Sequence, residues 1–245
     1  MQIKLGIALV AAIIAVTGPV RADLQYAVAG DDLYRVESGA GLSRISYSGT
    51  ERLTIRQSGK ELRFSARAHY TRFTGTTKSA AEAFFVQVLT ESGWFEDRID
   101  DDPDFLTILN QPFAVRLDAA TLRDVRSLRS RVPFAARSPL GGETVLRGYL
   151  RPGVDGPIAG HPTVAVRFEA DGPMSGALQG HADQILGGDM HMDGIAYYAP
   201  EDGILRALNV TLTIEARLRG KSPTDATPVR IVYHRSIRAS SGDNT

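Results

Sequence analysis

The chain has 245 residues, 43% of them apolar and 23% charged, with 28 basic and 28 acidic side chains and no cysteine. That length can bury one large core or two small ones. The composition excludes a disordered or collagen-like chain, a disulfide-stapled mini-protein, a zinc ribbon and cysteine-based catalysis. Balanced charge gives no electrostatic ground for nucleic-acid binding.

Residues 1–22 read as a secretory signal. One cation, Lys4, precedes an apolar run from Leu5 to Val16, and Val20 and Ala22 put small or aliphatic side chains at the two recognition positions. Mature protein would begin at Asp23 with 26 basic against 28 acidic residues, because the signal carries Lys4 and Arg21 and no acid. The apolar run is shorter than the ~20 residues that span a bilayer, so no transmembrane anchor is expected after cleavage. The absence of cysteine rules out lipobox acylation, and no paired arginines suggest twin-arginine export. The expected location is periplasmic or secreted.

Beyond the signal, apolar residues recur mainly with a period of two, which places them on one face of a strand. Alternation is weak at Leu53–Arg56. It is clear at Leu62, Phe64, Ala66, Ala68 and Tyr70. The next segment has a different period. Ser79 and Glu82 form a capping box, and Ala81, Phe84, Phe85, Val88 and Leu89 follow in a helical stripe ending at Gly93, which predicts an amphipathic helix over 79–92. A second short helix is expected over about 103–109, opened by Asp102 and Pro103 and stopped by Pro112. Residues 113–131 are ambiguous: Phe113–Asp118 alternates, whereas Leu122, Val125 and Leu128 recur every third position. The favoured reading is a strand, a turn at Asp118–Thr121, then a strand or a helical turn.

Further alternation marks Val145–Arg151, Val164–Ala170, Met190–Tyr198 and Val229–Ile237. The strictest runs from Leu208 to Leu218. Turn residues punctuate these runs at Ser58-Gly59, Pro152-Gly153, Asp171-Gly172-Pro173, Gly187-Gly188 and Asp202-Gly203. One polar face per strand implies antiparallel pairing. The fold class is therefore mainly β (α+β): a strongly curved antiparallel sheet or half-open barrel, in a single domain over 23–238 with a frayed polar tail at 239–245.

Most motifs fail on inspection. Gly220-Lys221-Ser222 lacks the glycine that a phosphate loop needs at position 215, and Pro223 forbids the following helix. Gly39-Ala40-Gly41 has Arg44 in place of the third glycine of a dinucleotide fingerprint. No serine-hydrolase signature is present. His181, Asp183, Asp189, His191 and Asp193 are the densest donors, but His191 and Asp193 share one face of a strand whose other face carries Met190 and Met192, so a solvated face is the simpler account and no metal is assigned. Asp100, Asp102 and Asp104 offer three oxygens of a calcium loop. Phe105 and Gln111 then break the pattern, and acids at a helix start explain the run. Arg116, Arg123, Arg126, Arg129, Arg131 and Arg137 fall within 22 residues. Arg123, Arg126 and Arg129 are candidates for contact with an anion or an acidic partner, against the simpler reading of a solvated face.

An exported, cysteine-free curved sheet with a helix on its apolar face resembles the LolA/LolB-like lipoprotein-carrier fold. The residues behind the comparison are Ser79–Ser92, the strands Leu62–Phe73 and Leu205–Leu218, and the signal. The resemblance implies that Phe64, Phe84, Phe85, Val88, Leu208 and Leu212 line a cavity for an acyl chain. The same side chains would look identical in a dry core. Two readings stay open. One is a non-catalytic envelope protein holding a lipid, lipoprotein or other apolar ligand. The other is an envelope structural or interaction protein with a filled core that binds a partner protein. An exported hydrolase is less favoured because no activated nucleophile can be named, and no catalytic residue or cofactor is assigned.

Overall fold

The computed structural model describes residues 21–36, 42–58, 61–89, 95–101, 104, 111–127, 131–137, 145–178, 181–219 and 226–240. Its strands are β1 (Arg21–Val36), β2 (Ser43–Ser58), β3 (Glu61–Thr74), β4 (Thr77–Leu89), β5 (Phe95–Asp101), β6 (Val132–Arg137), β7 (Val145–Pro152), β8 (Val164–Leu178), β9 (His181–Tyr198), β10 (Leu205–Arg219) and β11 (Ala226–Ala239). All pair antiparallel in one sheet of order β5-β4-β3-β2-β1-β11-β10-β9-β8-β7-β6. Two meanders, β1–β5 and β6–β11, are thus zipped together along β1 and β11, from Tyr26 opposite Ala239 to Val36 opposite Val229. The sheet stays open, with β5 and β6 at its two edges.

Strands β1–β4 and β6–β11 each turn one residue phase inward. The inward sets include Tyr26 and Val28 of β1, Leu53 and Ile55 of β2, Phe64 and Ala66 of β3, and Phe168 of β8. Met190 and Met192 of β9, Leu208–Ile214 of β10 in alternation, and Ile231 and Ile237 of β11 complete them, all buried in one core. Across the inner side runs a 3-10 turn, Pro112–Ala114, followed by helix α1 (Ala119–Arg126). Leu205 N–H donates to the Val115 carbonyl at 2.9 Å and Leu117 N–H to the Gly203 carbonyl at 3.0 Å. The hydroxyls of Tyr198 and Tyr26 donate to the carbonyls of Phe113 and Leu205 at 2.6 and 2.8 Å. Phe113 meets Phe134 edge to face and Phe168 at a tilt, with centroids 4.8 and 5.0 Å away. Asp118 caps α1 by accepting from the N–H groups of Ala120 and Thr121, and Leu122 and Val125 pack inward.

Three expectations are corrected. Residues 79–89 are not helical: they form most of β4, joined to β3 by a two-residue hairpin with Gly75 at φ 58°. The helical stripe and a strand's inward set share Ala81, Phe85 and Leu89, because a spacing of four keeps one face in either geometry. The set Ala81, Ala83, Phe85, Gln87, Leu89 is the one that faces inward, and a polar Gln87 in that series hides the alternation. Second, Asp171-Gly172-Pro173 and Gly187-Gly188 are not turns but lie inside β8 and β9. A Cβ on Gly188 would lie 2.2 Å from the Glu215 carbonyl oxygen, so this glycine marks a close strand approach. Third, Phe113–Asp118 forms no strand beyond a single bridge of Arg116 with Ile204, and 119–126 takes the helical alternative.

β1 escapes a pattern search because Gly30 and Asp32 interrupt its apolar phase. The expected signal up to residue 20, the short helix at 103–109 except Asp104, and the tail from 241 onward lie outside the described residues. β1 already pairs at Arg21, opposite Arg56. None of the described helices is long and apolar enough to cross a membrane.

Candidate functional site

The six apolar candidates divide between the two faces of the sheet. Phe64, Phe85 and Leu208 expose none of their surface and Leu212 only 3%, all within the inner core. Phe84 and Val88 have the opposite phase on β4, and Phe84 is 37% exposed on the outer face. An accessible surface of zero means that no water-sized space touches Phe64, Phe85 or Leu208, as in a filled core. One polar group is set among them. Gln87, opposite Phe64 in the ladder, is fully buried, and its carboxamide has no hydrogen-bond partner among the described residues.

A second inward feature is polar. Arg235 of β11 and Asp32 of β1 form an ion pair of 2.7 Å with 2% and 1% of their side chains exposed. Tyr47 donates to the other Asp32 oxygen at 2.6 Å, and the Arg235 guanidinium lies over the rings of Tyr47 and Tyr233, 5.2 and 5.4 Å from their centroids. The second Arg235 nitrogen donates to the Asp104 carbonyl at 2.7 Å, while the Asp104 carboxylate accepts from Tyr70 at 2.5 Å and pairs with Arg72. Burial pushes the Asp32 carboxyl up, and Arg235 and Tyr47 draw it back. Burial also raises the Tyr233 phenol, to about 12. The knot ties β1, β2, β3 and β11 to Asp104, one of the acids of the candidate calcium run, through its Oδ2 and its carbonyl oxygen. Its sequence signal was a charge at an inward phase position: Asp32 follows Tyr26, Val28 and Gly30, and Arg235 lies between Tyr233 and Ile237.

A concavity with described walls lies on the other face. A groove of about 780 Å3 crosses the outer side of β1, β11, β10, β9, β8 and β7, walled by Asp31, Arg167, Asp193, Asn209, Thr211 and His234, with Tyr149 and Ile195 also lining it. Its carboxylates are engaged. Burial works to raise Asp31, but hydrogen bonds from Arg44 and Ser46, with the Arg44 charge, hold it below the ordinary carboxylate range. Glu169 pairs with Arg151, and Asp193 lies 3.6 Å from His191, whose other ring nitrogen meets Asp171 at 2.6 Å. Thr211 and His234 are 3.1 Å apart. Such a surface recognises by hydrogen bonds and paired charges; it presents no desolvated base beside a nucleophile.

Arg123 and Arg126 are exposed on α1, and Arg126 meets Asp155 at 3.2 Å; Arg129 lies outside the described residues. Among the described residues no group of three or more histidines and acids is placed to hold a metal ion. No family model and no curated protein matches this chain.

Proposed function

We propose that the chain is an exported, non-catalytic binding protein of the bacterial cell envelope that keeps a filled interior and engages a partner protein through the groove on the outer face of its sheet. The observation that carries this reading is the contrast between the two faces: Phe64, Phe85, Leu208 and Leu212 at 0–3% exposure inside, and a groove of about 780 Å3 outside. The groove mixes both signs of charge with amide and hydroxyl groups and an exposed tyrosine, Tyr149, a composition suited to protein surfaces rather than to a polyanion. The apolar run at Leu5–Val16 supports export.

A photocrosslinking residue placed at Asn209 or Thr211 in cells tests this. The expected result is one defined protein adduct that is absent from the same residue placed at exposed Ser79 and lost in an Arg167→Glu background that still folds. Adducts that are absent, or equal from Ser79, would overturn it.

A second reading, an acyl chain held inside the half-open barrel as the lipoprotein-carrier resemblance implies, has one observation in its favour: the buried Gln87 carboxamide with no partner among the described residues. A ligand carbonyl or carboxylate would satisfy that amide. Co-purified lipid in organic extracts, together with saturable fatty-acid probe uptake lost in Gln87→Leu, supports this alternative. Absence of both from folded protein removes it.

A further inference from the structure

We infer that the outer face of β2 and β3 is a docking surface for an anionic lipid bilayer. Four exposed arginines form a rectangle there: Arg56 stands directly opposite Arg63 and Arg52 opposite Arg67, with the hydroxyls of Thr54 and Ser65 opposed between them. Like charges directly opposed on one sheet face are destabilising. The chain repeats the arrangement four residues along the strands, so the free protein carries repulsion that an anionic surface would relieve.

The charged neighbours leave most of the block uncompensated. Asp23 takes Arg52 through two bonds of 2.8 and 2.5 Å. Glu82 faces His69 at 3.2 Å on the next rung, and Asp101 stands opposite Phe84 at the border with β5. Arg56, Arg63 and Arg67 have no carboxylate partner among the described residues.

An apolar ridge runs beside the block. Arg63, Ser65 and Arg67 pair across the ladder with Val88, Val86 and Phe84, all three outward-facing, and Phe84 is 37% exposed. Adjacent strands lie ~4.8 Å apart and four residues along a strand cover ~13 Å, so the array is a broad face rather than a pocket. Guanidiniums bind phosphate oxygens in bidentate fashion, and an aromatic side chain beside them inserts at the level of the headgroups. A soluble anion would use the arginines and leave the ridge without a role.

Vesicle co-sedimentation of the purified protein tests the inference, with phosphatidylcholine vesicles against phosphatidylcholine–phosphatidylglycerol vesicles at low and high salt. Binding is expected only to the anionic vesicles and is expected to weaken with salt. Each arginine near an anionic leaflet contributes about five-fold in affinity, so Arg56→Glu with Arg63→Glu should lower it roughly 30-fold or more. Phe84→Ser should lower it at both salt concentrations, and Arg123→Glu with Arg126→Glu on α1 should leave it unchanged. Unfolding curves confirm that each variant is folded. The inference is overturned if the protein does not bind anionic vesicles at low salt, or if the β2–β3 variant binds like the parent. It is also overturned if soluble polyglutamate displaces the vesicles while Phe84→Ser has no effect, an outcome that assigns the arginines to an acidic polypeptide.

Discussion

Asp32 and Arg235 show how one inward pair of charges can persist in a sheet otherwise built on aliphatic side chains. Each is desolvated, so each depends on the other and on the phenols of Tyr47 and Tyr34, which donate to Asp32 at 2.6 and 3.3 Å. Removing one member leaves the other charge buried without compensation. Asp32→Ala is therefore expected to destabilise the protein by about 3–5 kcal/mol, read as a lower urea midpoint at unchanged slope. Replacing both charges, as in Asp32→Leu with Arg235→Met, removes the stranded charge and should cost less than Asp32→Ala alone. A double variant as unstable as the single one would show that the hydrogen bonds to Asp104 and the tyrosines, rather than charge compensation, hold the knot. The pair was legible only as an anomaly in phase, because a sequence shows that a charge falls on the inward face without showing which strand supplies its counter-ion.

At the scale of elements, β3 and β10 were legible from strict alternation, and β7, β9 and β11 from weaker alternation despite Gly148, Gly194 and Arg235 in their inward phases, whereas β1 and β4 were not. β3 and β10 read directly from Leu62–Tyr70 and Leu208–Leu218. β4 did not, because Gln87 occupies an inward position and Phe84 an outward one. The strand geometry makes opposite demands on the adjacent phenylalanines. Phe85→Ala, which empties a fully buried site, should cost about 3–5 kcal/mol, while Phe84→Ala on the outer face should cost under about 1 kcal/mol in chemical denaturation. Equal costs would mean that both rings pack, as a helical stripe requires. In α1 the Asp118 carboxylate is held below its ordinary value of 3.8: partial burial works to raise it, but the Thr121 hydroxyl and the N–H groups of Thr121 and Ala120 outweigh that. A carboxylate with a depressed folded pKa contributes stability above its unfolded pKa and loses it as pH falls through the folded value. Asp118→Ala should then cost about 1 kcal/mol at pH 6, and its difference from the parent should shrink at pH 3. A difference independent of pH would assign the cap's contribution to something other than the ionised carboxylate.

Across the whole molecule, curvature comes from glycines whose missing side chains would point inward. Gly30, Gly49, Gly148, Gly172, Gly188 and Gly194 all share the inward phase of their strands. A Cβ built on Gly49, Gly148, Gly188 or Gly194 would lie 1.8–2.3 Å from a carbonyl oxygen of the neighbouring strand. Without those carbons adjacent strands close in on the concave side, and the sheet curls instead of lying flat. Gly30 and Gly194 also line the outer groove, so the same bends help to shape the surface behind them. A curved antiparallel sheet was legible from one polar face per strand. The places where it bends were not, because a glycine in the sequence signals a turn and an inward bend alike, as at Gly187-Gly188. The two residues now separate. Gly188→Ala places its carbon 2.2 Å from the Glu215 carbonyl and 2.5 Å from the Ala216 Cα, backbone atoms that cannot move without opening the β9–β10 ladder. Overpacking of this kind costs about 1–3 kcal/mol. A Cβ on Gly187 meets nothing within 4 Å, so Gly187→Ala only restricts the unfolded chain and should stabilise by about 0.4–1 kcal/mol. Urea titrations of the two variants side by side, one residue apart in one strand, are expected to shift in opposite directions. A shared direction would mean that the close approach at Gly188 does not set the curvature of the sheet.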